Sequence, residues 1–170
     1  MRRRVGSFVS AATVCALVSA MSLLGADGAA MPMKMSTQLS GSQQVPAVQT
    51  PGTGQFQGTI AAGNKSISYR LTFSGLSSPV TAAHIHVGSR GTNGPVVVFF
   101  CGGGGRSSCP AAGGTVTGTI TAASVVAGGN IKRGDLPGLI TAIMTGDTYV
   151  NVHTTKYKDG EIRGQIAIGM

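Results

Sequence analysis

The feature that most constrains the fold is a series of short segments in which apolar and polar residues alternate. In one of them, Ile67, Tyr69, Leu71 and Phe73 are separated by single polar residues. A period of two places all the apolar side chains on one face, which predicts a half-buried antiparallel strand. Such a strand has to cover its apolar face with another sheet or with the far side of its own sheet.

Turn signals separate eight candidate strands. They are residues 37–48, 54–62, 66–73, 80–87, 96–100, 114–121, 148–154 and 161–168. Residues 61–65 and 157–160 are rich in Gly, Asn and Asp, so they predict hairpin turns. The sequence therefore predicts an all-β protein, an antiparallel β-sandwich or barrel of about eight strands.

One short helix is predicted at residues 135–145. Asp135 can cap its first turn, and Leu139 and Ile143 form an apolar stripe on one side. Gly146 follows where a helix would end, because glycine readily adopts the left-handed conformation found there.

The N-terminus has the pattern of a secretory signal. Three arginines at positions 2–4 precede an apolar run at 8–24, and small residues follow as far as Ala30. We predict a signal peptide over residues 1–30, cleaved after Ala30 or Ala29. The run is short, so no permanent membrane span is expected after cleavage, and the mature protein is expected to be secreted or periplasmic.

Residues 31–35 are predicted to be a short flexible N-terminus. Met31, Met33 and Met35 stand at alternate positions there, and their thioethers could bind Cu(I). We favour the simpler interpretation, a flexible segment that contains three methionines.

Residues 36–170 are expected to form a single domain. Without the signal peptide, ten basic residues stand against four acidic ones, a net charge of +6. The basic residues are spread along the chain with no run longer than two and lack interleaved aromatic residues, which argues against nucleic acid as a partner.

Two cysteines follow the signal peptide, Cys101 and Cys109, and they enclose a glycine-rich loop. In an exported protein such a close pair most simply forms a disulfide bond. The loop is not followed by the Lys-Ser/Thr pattern of a phosphate-binding loop.

All three histidines lie in two predicted strands. His84 and His86 are two residues apart, so their side chains share a face of one strand, and His153 lies in another. If the two strands are neighbours, three imidazoles converge. Imidazole can act as a metal ligand, a proton carrier or a partner for anions.

The last two predicted strands add polar companions to the histidines. The simplest register buries the aliphatic residues of this hairpin and leaves Asn151, His153, Glu161 and Arg163 on one polar face.

Three interpretations of these residues remain open. In the first, the histidines, Asn151, Glu161 and Arg163 form a polar network that fixes the strand register. In the second, His84, His86 and His153 bind copper or zinc, with Glu161 as a fourth ligand or as a partner that orients an imidazole.

The third interpretation is hydrolysis with a histidine as the base. Thr154 adjoins His153, but neighbouring residues on a strand face opposite ways, and no G-x-S-x-G motif is present. The sequence therefore does not assign an enzymatic activity to the chain.

Several motifs, in order, resemble the CHRD domain, a family first described in the signalling inhibitor chordin and common in exported bacterial proteins. The motifs are LSGSQQVP at 39–46, AAHIHVG at 82–88, NGPVVV at 93–98, GDTYVNVHT at 146–154 and GEIRGQI at 160–166. The resemblance extends over residues 37–168. It implies a β-rich secreted module and supplies no settled biochemical activity.

The sequence thus favours an exported, single-domain binding module or cell-envelope-associated module, whose partner is an unidentified protein or envelope ligand. The alternative is a metal-binding or redox protein that uses the three histidines for copper or zinc.

Overall fold

The computed structural model describes residues 31–169 and consists of one antiparallel sheet with one α-helix. The strands are β1 (Met33–Ser40), β2 (Thr53–Ile60), β3 (Ile67–Ser74), β4 (Val80–Val87), β5 (Val96–Cys101), β6 (Gly114–Ile120), β7 (Thr148–Thr154), β8 (Ile162–Gln165) and β9 (Ala167–Ile168). Their order across the sheet is β5-β4-β7-β8-β1-β2-β3-β6, with β9 beside β1. The all-β prediction is confirmed, with nine strands instead of about eight.

Alternation of apolar and polar residues determines the long β2–β3 hairpin. The two strands pair without a shift from Ile60 opposite Ile67 to Thr53 opposite Ser74. The predicted turn at 61–65 joins them, and Gly63 provides the positive φ angle of 75° that this turn requires. Every second residue of each strand therefore faces the core.

The sheet curls until its two outer strands, β5 and β6, almost meet. The chain after β6 fills the gap between them: Val125 bridges to Val98, and the Val126 N–H donates to the Val97 carbonyl at 2.9 Å. The result is a nearly closed barrel, whose interior holds the core.

The core consists of the inward-facing aliphatic and aromatic side chains of all the long strands. Phe56, Leu71, Ile85, Val150 and Ile162 are completely buried. Full burial of a side chain of this size contributes about 1.5–3 kcal/mol, so these contacts dominate the stability of the barrel.

The predicted helix is present as α1 (Leu136–Met144). The Asp135 carboxylate accepts a hydrogen bond from the Gly138 N–H at 2.9 Å, which caps the first turn. Gly146 follows the helix with a φ angle of 76°, as expected for a glycine at this position.

The N-terminal prediction needs correction. β1 begins at Met33, so residues 31–35 are not a flexible segment as a whole. Met35 is only 2% exposed and packs against the bare Cα of Gly58, where an added Cβ would lie 2.5 Å from the Met35 Cε. Burial of this side chain explains why the segment joins the sheet. The predicted signal peptide, residues 1–30, lies outside the described residues.

Two predicted strand boundaries are also wrong. Instead of continuing through residues 37–48, the first strand ends at Ser40, because the Gln44 and Val48 N–H groups both donate to the Gly41 carbonyl and form a turn. The predicted strand 161–168 begins only at Ile162, and it is interrupted before β9.

No helix within residues 31–169 is long and apolar enough to span a membrane. The predicted disulfide is present: Cys101 and Cys109 are bonded, with their Cα atoms 5.0 Å apart.

Candidate metal centre

Strands β4 and β7 bring the three histidines together, as the sequence predicts for neighbouring strands. His84 pairs with Asn151 and His86 with Tyr149, while His153 lies opposite Ala82. His153 is therefore a diagonal neighbour of His84 on the same face of the sheet. Residues at alternate positions, including Ile85 and Val150, face the core instead.

The three rings form a compact group. The ring centroids are 4.9 Å apart for His84 and His153, 5.6 Å for His84 and His86, and 6.0 Å for His86 and His153. One nitrogen from each ring can be chosen so that all three lie within 4.8 Å of one another. We call these three residues the histidine cluster.

The hydrogen bonds of two rings fix their tautomers. His86 Nδ1 lies 2.8 Å from the Gly94 carbonyl, and His153 Nδ1 lies 2.8 Å from the Lys158 carbonyl. Since a carbonyl oxygen can only accept, both Nδ1 atoms carry the hydrogen. In the neutral ring the Nε2 atom is then an unprotonated acceptor, which is the form that binds metal.

The remaining ring nitrogens of the cluster have no hydrogen-bond partner in the part of the chain that the structure describes. Both nitrogens of His84, Nε2 of His86 and Nε2 of His153 are buried and find no hydrogen bond within residues 31–169. Buried polar atoms are nearly always paired, so four orphaned nitrogens in one place are unusual.

Burial keeps the cluster neutral. It lowers the pKa of His84 to about 3, with smaller effects from the neighbouring His153 and His86. Burial likewise lowers the pKa of His86 to about 4, against an opposing effect of the Gly94 carbonyl. The pKa of His153 is lowered by the same cause. At neutral pH all three rings therefore present lone pairs instead of positive charges.

Aromatic rings form two walls of the cluster. Tyr149 stacks on His86 with the planes 9° from parallel and the centroids 4.8 Å apart. Phe99, opposite His84 on β5, meets that ring edge-on at 4.7 Å. Neither wall was predicted from the sequence, because Phe99 and Tyr149 lie on strands that reach the histidines only through the pairing of β4 with β5 and β7.

Two of the predicted polar companions, Asn151 and Arg163, lie on the same side of the sheet, and within residues 31–169 neither forms a hydrogen bond to the cluster. Asn151 and Arg163 pair across β7 and β8, and both are buried. Asn151 accepts from the Gln44 side chain at 2.6 Å and donates to the Asp159 carbonyl at 3.3 Å. Sequence reasoning missed Gln44, which approaches from the turn after β1.

Arg163 holds the loop between β4 and β5 against the sheet. Its guanidinium donates to the Thr92 carbonyl at 2.8 Å and to the Asn93 side chain at 3.2 Å. It also lies 3.4 Å from the centre of the Tyr149 ring, a cation–π contact. This loop includes Gly94, whose carbonyl holds His86, so Arg163 supports the cluster from a distance.

Glu161 does not belong to the cluster, and its predicted role as a metal ligand or an imidazole partner is not supported. It lies in the bend before β8, where the alternation of faces along a strand no longer applies. Its carboxylate is completely buried and accepts from the Thr50 and Thr154 hydroxyls and from both the N–H and the hydroxyl of Ser77. We call these four residues the carboxylate cluster.

The donor set of the histidine cluster fits a transition metal. Three neutral imidazoles suit zinc or copper, whereas calcium and magnesium prefer the oxygen ligands that this cluster lacks among the described residues. Zn–N bonds of 2.0–2.1 Å in a tetrahedral site place ligand nitrogens about 3.4 Å apart. The rings would therefore need only small movements to close on an ion.

Comparison with known proteins supports the resemblance seen in the sequence. The CHRD domain family model matches residues 35–166, which is more than three quarters of the chain and includes all three histidines. No curated protein and no solved structure gives a significant match. CHRD domains are binding-type modules and are typically extracellular. The chain belongs to the CHRD domain family.

Proposed function

We propose that this protein is an exported metal-binding module in which His84, His86 and His153 hold one zinc or copper ion. The observation that carries the proposal is the set of four buried ring nitrogens without partners in the described chain. A network whose purpose was only to fix strand register would pair these atoms, because each unpaired buried polar atom costs about 1–3 kcal/mol. A bound ion would use three of them.

The surroundings of the rings support this function. Carbonyls at Gly94 and Lys158 hold two imidazoles with Nδ1 protonated and Nε2 free, as is typical of histidine ligands with a backbone partner. Low pKa values remove the competition from protons at neutral pH. Three protein ligands also leave one position of a tetrahedral ion for water or a small molecule.

Export is part of the proposal. The Cys101–Cys109 disulfide fits an oxidising compartment, and the family is typically extracellular. The signal pattern in the sequence agrees, and it indicates a secreted, periplasmic or envelope-associated location.

A binding module without metal is the second candidate. It is favoured by the loops that Gln44 and Arg163 fasten over the face of β4, β7 and β8. On this alternative, the buried polar residues build a rigid surface for a protein or envelope ligand.

Metal analysis of the purified mature protein decides between the two candidates. After loading with Zn²⁺ or Cu²⁺ and removal of excess ion, we expect one ion per chain by mass spectrometry. Free ion at about 100 times the Kd should add about 2.7 kcal/mol to the free energy of unfolding.

The double variant His84→Gln/His86→Gln should lose both the ion and this stabilisation. Asp147→Asn is the control, because its carboxylate lies outside the cluster, where it accepts from the Ser89 and Thr145 hydroxyls. If the wild-type protein binds no ion and its melting temperature does not change with either metal, the proposed function is wrong.

A further inference from the structure

The walls of the histidine cluster differ in how firmly they are held. Tyr149 is 2% exposed, its hydroxyl accepts from the Gly94 N–H at 3.1 Å, and Arg163 lies against its ring. Phe99 has no polar anchor, because its side chain can form no hydrogen bond, and it is only partly buried. The Phe99 wall is therefore the one that can move.

The disulfide-closed loop packs against the Phe99 ring. An added Cβ at Gly104 would lie 2.5 Å from the Phe99 Cδ2, and one at Gly103 would lie 3.1 Å from its ring. Bare glycine backbone thus lies directly on the ring. Phe99 also meets the His84 ring edge-on.

Several constraints give this loop a fixed shape. The disulfide joins its ends, the Gly102 N–H donates to the Ser107 carbonyl, and the Arg106 N–H donates to the Gly103 carbonyl, each at 2.9 Å. Glycines 102 to 105 all have positive φ angles, which other residues rarely adopt. Four consecutive glycines therefore form a backbone path that passes over Phe99.

A hydrated ion cannot reach the ring nitrogens of the cluster while they are buried. We propose that Phe99, held against His84 by the loop of residues 101–109, is the movable wall through which an ion enters and leaves the histidine cluster. This inference rests on the proposed metal binding and adds to it the residue that controls the exchange of the ion. The loop keeps the wall closed, and an outward movement of Phe99 exposes His84 first.

Two glycines of the loop provide a matched test. Gly104 and Gly105 both have positive φ angles, 55° and 77°, so alanine causes backbone strain at either position. Only at Gly104 does the new methyl group meet Phe99, whereas at Gly105 nothing lies within 4 Å. Gly104→Ala should therefore displace the ring from His84, and Gly105→Ala should leave it in place.

The first measurement needs no metal. Carbethoxylation of His84 by diethyl pyrocarbonate, located by peptide fragmentation, reports how often the wall opens. We expect Phe99→Ala, Gly104→Ala and Cys101→Ser/Cys109→Ser to react about three to ten times faster than the wild type, the factor expected for loss of one aromatic contact. Gly105→Ala should react at the wild-type rate.

The second measurement follows the transfer of Zn²⁺ from the loaded protein to a chelator. Phe99→Ala and Gly104→Ala should release zinc about three to ten times faster than the wild type does. Gly105→Ala should release it at the wild-type rate. If zinc binds normally but the rates of Gly104→Ala and Phe99→Ala equal those of Gly105→Ala in both measurements, the wall is not Phe99. If the wild type binds no zinc, the proposed function fails, and carbethoxylation alone still decides whether Phe99 shields His84.

Discussion

The histidine cluster and the carboxylate cluster are both buried groups of polar side chains. From the sequence we predicted that the histidines and Glu161 belong to a single site. The structure separates them and gives them opposite hydrogen-bonding states. The Glu161 carboxylate accepts four hydrogen bonds from three residues. Three imidazoles, by contrast, leave four nitrogens unpaired in the described chain.

The two clusters also respond differently to burial. Burial raises the pKa of Glu161, but its hydrogen-bond donors outweigh that effect, and the pKa is lowered overall. The carboxylate therefore remains charged inside the protein. In the histidine cluster, burial lowers the pKa of each ring and keeps it neutral. The saturated carboxylate cluster fits a structural role, and the unpaired nitrogens of the histidine cluster support the proposed metal site.

The largest expected effect is on stability at the carboxylate cluster. Glu161→Ala leaves the donors from Thr50, Ser77 and Thr154 without their acceptor. Because hydrogen bonds to a charged group contribute about 1.5–3 kcal/mol each, we expect the free energy of unfolding to fall by about 3 kcal/mol or more. Urea unfolding of the metal-free protein measures this change.

Because the two clusters are separate, Glu161→Ala should leave metal binding intact. The protein that remains folded should bind the same amount of zinc as the wild type. Loss of the ion from well-folded Glu161→Ala would mean that the two clusters form one site after all.

The second prediction concerns the dependence of the stability on pH. A histidine whose pKa is lowered by folding takes up a proton more readily in the unfolded state. For the metal-free protein, stability should be greatest above pH 6.5 and should fall as the pH drops towards about 4, the pKa of His86. Each such histidine contributes a slope of about 1.4 kcal/mol per pH unit within its window.

Unfolding measured between pH 7.5 and 4.5 tests this dependence. His84→Gln/His86→Gln should flatten most of the slope, because only His153 then remains to titrate. Glu161 acts in the same direction but below its ordinary pKa of 4.5, so it does not account for a slope near pH 6. A wild-type profile that is flat between pH 6.5 and 5 would contradict the neutral cluster.

The secondary-structure elements of this fold and the convergence of the histidines could be predicted from the sequence, because both follow from local patterns. Alternation along β3 and the spacing of His84 and His86 need no knowledge of distant contacts. The helix capped by Asp135 is equally local. These features were predicted at nearly the observed boundaries.

The errors concern residues whose positions depend on contacts with segments distant in the sequence. Glu161 would follow the strand alternation only if β8 began at that residue. Instead it lies in a bend, where hydroxyls of the remote residues Thr50 and Ser77 donate to its carboxylate. Met35 joins β1 because Gly58, more than twenty residues away, leaves room for its side chain. Gln44 and Phe99 reach the site from segments whose positions depend on the closed barrel. No pattern within a single segment contains this information.

A smaller effect is expected at the Tyr149 wall. Tyr149→Phe keeps the ring that stacks on His86 but removes the hydroxyl that accepts from the Gly94 N–H. We expect a loss of about 1 kcal/mol in unfolding free energy, the usual value of one hydrogen bond. Zinc affinity, measured by competition with a chelator, should fall modestly, because Gly94 also holds the His86 ring. An unchanged zinc affinity would mean that the Tyr149 hydroxyl does not help to position Gly94.

The smallest effect on stability is expected at the centre of the histidine cluster. In the metal-free protein, His84→Leu removes two buried nitrogens that have no partner in the described chain, so no hydrogen bond is lost. The gain from removing an unpaired polar group opposes the cost of a changed shape, and we expect a net change within about 1 kcal/mol of zero. His153→Leu is the matched control, because it loses the bond to the Lys158 carbonyl and should be less stable than His84→Leu.

With saturating zinc, the wild type should gain stability while both variants do not. A loss of several kcal/mol on His84→Leu without metal would instead mean that the ring has a structural partner, and the contrast between the two clusters would disappear.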